Sequence, residues 1–232
     1  MIEIFFIRHG QASFGKDNYD VLSDKGKLQA EKLAEYFQNE KIIPDKIFTG
    51  SLVRQKETAK STSKSFSDLK IIESSSLNEF KREFWKDSAE EISKIKPEFS
   101  NLYNLYKKKL LANPKQSRII FFDLTERILK YWKDGGKIPK HPLYSEFKTN
   151  ILSFYDTICN EKSKTRIFAF SSGTPISILV SHALGIHEGS ELKLLPLICN
   201  TSITKILYKK NEFFCEFINS TPHLMTKERT LI

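Results

Sequence analysis

The sequence predicts an α/β fold in three layers, in which helices cover both faces of a mostly parallel sheet. The first observation is the alternation of short apolar segments, at residues 2–7, 46–49 and 69–72, with helix-like segments between them. The second is the return of a strand-like segment at residues 166–170 after a long helical stretch. Strands that alternate with helices in this way are typical of a parallel sheet with covering helices.

The boundaries of the first elements have their own signals. The apolar run at 2–7 ends at Arg8-His9-Gly10, and its lack of polar alternation predicts a strand that is buried on both faces. Either Ser23 or Asp24 is the expected N-cap of the following helix, because their side-chain oxygens can accept a hydrogen bond from a free N–H of the first turn. A second helix is expected at about 52–65.

The middle of the chain differs from both ends. Aromatic and aliphatic residues recur there at helical spacing, which predicts a helical insertion at about 80–164 within a single domain that spans 1–232. Beyond the insertion, Pro175 favours the first turn of a helix. Segments 201–208 and 212–218 are expected to form a hairpin at the edge of the sheet.

Composition excludes several classes of protein. With 40% hydrophobic and 28% charged residues, the chain is typical of globular proteins and not of disordered or fibrous ones. No apolar run approaches the roughly 18 residues that a membrane span requires, and the N-terminus lacks the pattern of a secretory signal. The three cysteines, Cys159, Cys199 and Cys215, form no C-x-x-C pair, which argues against a disulfide scaffold and a zinc site. A cytoplasmic location is therefore expected.

The net charge of +9 is compatible with an anionic small molecule as ligand. The basic residues are mostly lysines scattered along the chain, and their densest cluster, Lys107-Lys108-Lys109, is short. A nucleic-acid-binding protein would be expected to show a basic face or a known motif. Neither is visible, so the sequence predicts no nucleic-acid partner.

Reactive side chains follow three of the predicted strands. His9 and Arg8 come directly after the first, Arg54 lies at the start of the helix after the second, and Glu79 follows the third. Ligands bind beyond the carboxyl ends of the strands in open parallel sheets, so these residues are expected to meet. A neutral imidazole can attack phosphorus, guanidinium groups can hold phosphoryl oxygens, and a carboxyl group can protonate a leaving alkoxide.

The motifs around these residues resemble the histidine phosphatase superfamily, which is also called phosphoglycerate-mutase-like. The resemblance covers about 1–79 and 165–223, and it rests on Arg8-His9-Gly10-Gln11, Leu22-Ser23-x-x-Gly26-x-x-Gln29-Ala30, Ser51-x-x-Arg54-x-x-x-Thr58-Ala59, Leu77-x-Glu79 and Asn200-Thr201-Ser202-Ile203-Thr204. It implies a phosphoglycerate-mutase-like fold, with His9 as the nucleophile that becomes a phosphohistidine. It also implies that Arg8 and Arg54 clamp the phosphoryl group, that Glu79 donates a proton, and that no metal or other cofactor takes part.

One position departs from the family pattern. The family usually has a second His in a Ser-His-Gly turn after the fourth strand, where this chain has Ser171-Ser172-Gly173. A Ser172 hydroxyl can donate one hydrogen bond to a phosphoryl oxygen but carries no charge, and losing such a donor costs on the order of 3 kcal/mol. Backbone N–H groups of Ser171, Gly173 and Thr174 are expected to compensate in part at the start of the following helix.

Several further residues are candidates for the site. Gln11, Ser13 and Asn18 follow the nucleophile and are expected to line the phosphate pocket. His182 lies about 15 Å along its helix from position 172 and cannot replace the missing imidazole. For His141 a surface loop is the expected setting, and for His223 a structural role, but a place in the site stays open for both. Three basic residues just beyond Glu79 could contact a second anionic group of a substrate: Lys81, Arg82 and Lys86.

The sequence leaves three functions open. The leading prediction is an enzyme, a phosphatase that hydrolyses small phosphate monoesters through His9, with activity weakened by Ser172. The first alternative is a phosphate- or partner-binding module that has lost efficient catalysis. A phosphoglycerate mutase is the third and least favoured function. Such an enzyme must protect its phosphohistidine from water, and a site that lacks one charged donor is poorly suited to that task.

Overall fold

The computed structural model describes residues 1–13, 20–66, 69–187 and 189–231. The chain divides into two compact units. The first combines Met1–Glu79 with Asn150–Ile232, and the second is Phe80–Thr149. The first unit contains the four reactive residues that follow the predicted strands, which are Arg8, His9, Arg54 and Glu79.

The first unit is built on one sheet. Its strands are β1 (Ile2–Arg8), β2 (Lys46–Thr49), β3 (Ile71–Glu73), β4 (Arg166–Ser171), β5 (Ile203–Lys209) and β6 (Glu212–Ser220). They lie in the order β3-β2-β4-β1-β5-β6. The first four strands are mutually parallel, whereas β5 runs antiparallel to β1, and β6 runs antiparallel to β5. The predicted α/β class, the mostly parallel sheet and the edge hairpin are confirmed.

The helices of the chain are α1 (Asp24–Asn39), α2 (Val53–Ser63), α3 (Glu83–Ile95), α4 (Pro97–Ala112), α5 (Pro114–Lys133), α6 (Tyr144–Cys159) and α7 (Gly173–Ala183). Short 3-10 turns cover Ser75–Leu77, Glu191–Leu197 and Thr226–Glu228. The predicted bounds agree with these to within a few residues. β3 begins later than the predicted 69–72 because its pairing with β2 starts only at Ile71.

The two faces of the sheet carry separate layers of side chains. On one face, Phe5 and Ile7 of β1 pack with Leu33 and Phe37 of α1 in the main hydrophobic core. On the other face, Phe6 lies with its ring centroid 6.1 Å from that of Phe154 in α6. Neighbouring residues of a strand point to opposite faces, so β1 is apolar from Ile4 to Ile7 because both of its faces are covered there.

The helical region ends earlier than the sequence predicted. The second unit stops at Thr149, whereas the predicted insertion extends to about residue 164. The reason is the second half of α6, where Phe154 also packs against Phe48 of β2, at 5.5 Å between ring centroids. Periodicity shows that this segment is a helix, but it does not show which core the helix joins.

The second unit has an aromatic core of its own. Trp132 of α5 is fully buried, and its ring centroid lies 4.7 Å from that of Phe84 and 5.3 Å from that of Phe147. The indole N–H donates to the Pro142 carbonyl at 2.9 Å, which satisfies the one polar atom of that buried side chain.

A close backbone approach holds the segment after β1 against the start of α1. The Ser23 hydroxyl caps α1 by accepting from the Gly26 N–H at 3.0 Å, which settles the N-cap in favour of Ser23. A Cβ atom built on Gly26 would lie 2.1 Å from the Gln11 carbonyl oxygen, and one built on Gly10 would lie 2.5 Å from the Gly26 oxygen. Both positions therefore require glycine for space.

We expect Gly26→Ala to lower the free energy of unfolding by about 2 kcal/mol. The methyl group gains about 1 kcal/mol of helix propensity. It must displace backbone that lies 2.1 Å away, so we place the cost of overpacking at the top of its usual range, about 3 kcal/mol. Urea unfolding measures the change, with Lys27→Ala at an exposed position of the same turn as the control. A Gly26→Ala protein as stable as the wild type would contradict the prediction.

Candidate functional site

The backbone of His9 is fixed from both neighbouring strands. Its N–H donates to the Ser171 carbonyl at the end of β4, at 2.9 Å. Its carbonyl accepts from the Asn200 side-chain amide at 3.1 Å and from the Thr201 N–H at 3.3 Å. Thr201 has a φ of 54°, which is a strained conformation for this residue type. The turn adopts this conformation where it approaches the end of β1.

The contacts of the His9 ring select one tautomer. Nδ1 lies 2.7 Å from the Gly10 carbonyl oxygen, which can only accept, so Nδ1 carries the proton. Nε2 lies 3.1 Å from Nε of Arg54, whose N–H can only donate, so Nε2 presents its lone pair. The two contacts agree on a neutral imidazole whose nucleophilic atom is Nε2.

The surroundings also favour the neutral form. His9 is only 4% exposed, and burial lowers the pKa of its imidazole well below 6.5, helped by the positive charges of Arg54 and then Arg8. The hydrogen bond to the Gly10 carbonyl works in the opposite direction but does not outweigh them. His9 is therefore able to act as a nucleophile even in mildly acidic solution.

We expect the His9 ring to titrate with a midpoint below pH 6.5 in the free protein, as followed by NMR of its ring nitrogens. The direction follows from the lowered pKa, since the neutral form persists until the pH falls through the folded-state value. Arg54→Gln removes one of the nearby positive charges, so the midpoint in that variant should move upward. A wild-type midpoint at or above 6.5 would contradict the prediction.

Arg54 is held between His9 and an acidic residue that the sequence analysis missed. Its guanidinium is 8% exposed and donates through Nη1 to Oδ1 of Asp20 at 2.6 Å. The other oxygen of Asp20 accepts from the Val53 N–H, the first residue of α2, at 2.9 Å. Asp20 thus fixes both the side chain and the helix that carries it. It lies in a loop without periodicity or motif, so nothing in the sequence marks it.

Arg8 and Gly173 lie beside each other. The Arg8 guanidinium donates through Nη1 to the Ile198 carbonyl. A Cβ atom built on Gly173, at the start of α7, would lie 3.7 Å from Arg8 Cζ. The first residue of α7 and a guanidinium group therefore converge next to the end of β1, where both favour an anion.

Glu79 lies at the start of α7. Its Oε2 accepts from the Thr174 N–H at 3.1 Å. From the sequence, this N–H is predicted to face a phosphoryl group. In the structure it donates to a side-chain oxygen of Glu79, which lies within hydrogen-bonding distance of the first turn of α7.

Ser172 faces a second residue that the sequence analysis missed. Its side chain is buried, and its hydroxyl oxygen accepts from Nε2 of Gln55 at 2.9 Å. Gln55 follows Arg54 directly in α2 and is fully buried. In the sequence it was one polar residue of a helix start, without a signal to distinguish it from a solvated one.

The sequence matches the histidine phosphatase superfamily (branch 1) over residues 4–117 and 123–221. The chain belongs to this superfamily. A comparison with curated proteins finds no match.

Solved structures of two phosphatases and a mutase share the fold. A phosphoserine phosphatase from Entamoeba histolytica, solved as a mutant with phosphoserine, is 17% identical with a TM-score of 0.63, and the match covers 97% of this chain and 100% of that one. A phosphoglycerate mutase from Bacillus anthracis is 18% identical with a TM-score of 0.63, covering 96% and 94%. A mycobacterial glucosyl-3-phosphoglycerate phosphatase is 13% identical with a TM-score of 0.61, covering 94% and 98%. The predicted phosphoglycerate-mutase-like fold is confirmed.

Two further candidates of this superfamily member, Gln11 and Ser13, form hydrogen bonds with α1 and with the segment that leads into it. The Gln11 side chain accepts from the Ser23 hydroxyl at 3.2 Å, and its N–H donates to Gln29 at 2.9 Å. The Ser13 N–H donates to the Val21 carbonyl. Asn18 lies outside the described residues. A pocket-lining role for Gln11 and Ser13 stays a prediction.

The two histidines whose role the sequence left open have partners of their own. His141, expected in a surface loop, has a side chain only 4% exposed within the second unit, with Nε2 2.8 Å from Asp87. That expectation is corrected, because the ring packs edge-on against Phe84. His223 lies 3.0 Å from the Thr201 hydroxyl, and burial lowers its pKa to about 4. It supports the strained turn that approaches the end of β1.

Of the basic residues beyond Glu79, Lys86 pairs loosely with Glu90 along α3, at 3.8 Å. Lys81 and Arg82 fall in the second unit. Across the described parts of the chain, no cluster of acidic, His and Cys side chains could bind a metal ion. Over the same residues, no helix has the length and apolar character that crossing a membrane requires.

Proposed function

We propose that this protein is a phosphatase that hydrolyses small phosphate monoesters through a phosphohistidine at His9. The observation that carries the proposal is the His9 ring itself, which is buried, neutral and directed through Nε2 toward a guanidinium group. A phosphoryl group carries charge on its oxygens during transfer and calls for fixed cations beside an in-line nucleophile. Arg54 and Arg8 are the cations that we assign to it.

In the first step, the substrate displaces Arg54 from its hydrogen bond with His9. In the free protein, Arg54 donates to the same Nε2 lone pair that must attack phosphorus. A bound phosphoryl group takes over the Arg54 donors and leaves Nε2 aimed at the phosphorus atom. The N–P bond forms as the ester P–O bond breaks, and Glu79 gives its proton to the departing alkoxide.

Water completes the cycle. Glu79, now a carboxylate, accepts a proton from water as the water oxygen attacks phosphorus and the N–P bond breaks. Inorganic phosphate leaves, and both His9 and Glu79 return to their starting states. The net reaction consumes one ester and one water and yields one alcohol and one phosphate, without any metal or cofactor in the proposed steps.

A binding module that lacks efficient catalysis is the second candidate. Two observations favour it: Ser172 offers no charge at its position, and Asp20 already pairs with Arg54. A mutase is the weaker third candidate. All three functions have phosphorylated small molecules as ligands, and we propose no nucleic-acid or membrane partner. The three cysteines are free, which supports the proposed cytoplasmic location.

The decisive experiment measures turnover and the covalent intermediate together. Release of phosphate is followed with p-nitrophenyl phosphate, phosphoserine and 3-phosphoglycerate, the last two chosen because similar folds have been solved with them. Protein quenched in base during turnover should carry phosphate that is stable to base and labile to acid, as expected for phosphohistidine. Tight phosphate binding without release or labelling would support the binding module, and labelling with phosphate passed between positions of phosphoglycerate would support the mutase.

A further inference from the structure

Gln55 is a polar side chain without contact to water. It is 0% exposed, and all of its hydrogen-bonding contacts lie within the first unit. Its Nε2 donates to the Leu77 carbonyl at 2.9 Å and to the Ser172 hydroxyl at 2.9 Å, and its Oε1 accepts from the Leu52 N–H at 3.3 Å. A carbonyl can only accept, so the contact to Leu77 fixes which end of the amide is the NH2 group. Both amide protons are then used, and neither remains for a ligand.

The same contacts determine what Ser172 can do. A hydroxyl has one proton to donate and accepts through its lone pairs. Since Gln55 donates to it, Ser172 must turn its own proton elsewhere, and no acceptor for that proton lies among the residues that the structure describes. The Leu77 carbonyl accepts from Gln55 and from the Ser171 hydroxyl.

Both chain neighbours of Ser172 contact residues that we assign to the phosphate site. The preceding residue, Ser171, accepts from the His9 N–H, and the following residue, Gly173, lies next to the Arg8 guanidinium. A phosphoryl oxygen held by Arg8 near Nε2 of His9 is therefore the acceptor that the hydroxyl lacks in the free protein.

We propose that Gln55 is a positioning residue that acts through Ser172. This inference rests on the phosphate site of the proposed function. Its amide occupies the acceptor side of the Ser172 hydroxyl and leaves the O–H as a donor to the phosphoryl group. It also fills the volume that an imidazole at position 172 would need, since Gln55 and Ser172 are both buried with 2.9 Å between their polar atoms. Ser172 and Gln55 thus form one unit, in which a serine takes over the donor role.

The test is a double-mutant cycle on the binding of inorganic phosphate, measured by calorimetry with the wild type, Ser172→Ala, Gln55→Met and the double variant. Met keeps the size of Gln but has no donor. Each single change is expected to weaken phosphate binding by about 3- to 10-fold, the worth of one hydrogen bond. The double variant should bind no more weakly than Ser172→Ala alone, because Gln55 has no effect once its partner is absent. A purely structural role would instead make the losses multiply, and that outcome, or unchanged binding by Gln55→Met, would overturn the proposal.

A second pair of variants tests the volume argument and does not depend on Gln55→Met folding. Ser172→His in the wild-type background should bind phosphate at least about 10-fold more weakly than Ser172→His combined with Gln55→Ala, which frees room for the ring. Equal binding by the two would overturn the proposal.

These measurements separate the inference from the proposed function. A wild type that releases no phosphate while the cycle is non-additive would refute the phosphatase and leave the positioning role intact. Catalysis with multiplicative losses would refute the positioning role alone. Absence of phosphate binding by the wild type would overturn the positioning role, whereas phosphate release and labelling decide on the phosphatase.

Discussion

His9→Ala should lower phosphate release from p-nitrophenyl phosphate by at least about 10³-fold. The change removes the atom that forms the N–P bond, and removal of a covalent nucleophile leaves only the rate enhancement due to binding and fixed charges. The phosphorylated intermediate should disappear in parallel. Initial rates at saturating substrate measure the first effect, and labelling after a base quench measures the second.

The matched control is His182→Ala. His182 is exposed on α7, where its ring lies 5.5 Å from that of Tyr155, and it has no part in the proposed steps. It should keep the wild-type rate. Thermal unfolding of His9→Ala distinguishes lost chemistry from lost folding, and undiminished turnover by a folded His9→Ala protein would refute the phosphohistidine.

Glu79→Gln should lower turnover by about 10²- to 10⁴-fold for alkyl phosphates such as phosphoserine, the usual range for a general acid. The loss should be much smaller in the phosphorylation step with p-nitrophenyl phosphate, because nitrophenolate leaves without a proton. Gln keeps a carbonyl oxygen that can accept from the Thr174 N–H, so the start of α7 stays capped. Single-turnover rates of protein phosphorylation with the two substrates measure the difference directly.

Glu73→Gln provides the control for the loss of a carboxylate near the end of β3. Glu73 is exposed and pairs with Lys56 at 2.7 Å, so its replacement should leave both rates unchanged. An equal loss with both substrates in Glu79→Gln would show that Glu79 acts by some means other than protonation of the leaving group.

A site residue can be predicted from the sequence when it follows a recognisable strand. His9, Arg54 and Glu79 each follow an apolar run, and parallel strands bring their carboxyl ends to one edge, so position in the chain predicts position in space. The structure brings His9 and Arg54 into direct contact. Asp20 and Gln55 have no such marker, although each holds a residue that the sequence did identify.

The packing partners of a helix in the predicted insertion also could not be read from the sequence. The spacing of apolar residues over 143–158 correctly predicts a helix, and α6 forms at Tyr144–Cys159. The predicted insertion, at about 80–164, includes this whole helix, whereas its later part packs on Phe6 and Phe48 of the sheet. An apolar face specifies that a helix must be covered, but it does not specify by what.

The sequence by itself determined the alternation of strands and helices, the edge hairpin and the strand-end residues, because these depend on local periodicity and chain order. Only the tertiary structure decided the tautomer of His9, the partner of Arg54 and the state of the Ser172 hydroxyl. Those properties depend on contacts between residues far apart in the chain: 34 positions separate Asp20 from Arg54, and 117 separate Gln55 from Ser172. Hydrogen-bond donors and acceptors act only over about 3 Å, so the chemistry of the site exists only once the chain has folded around it.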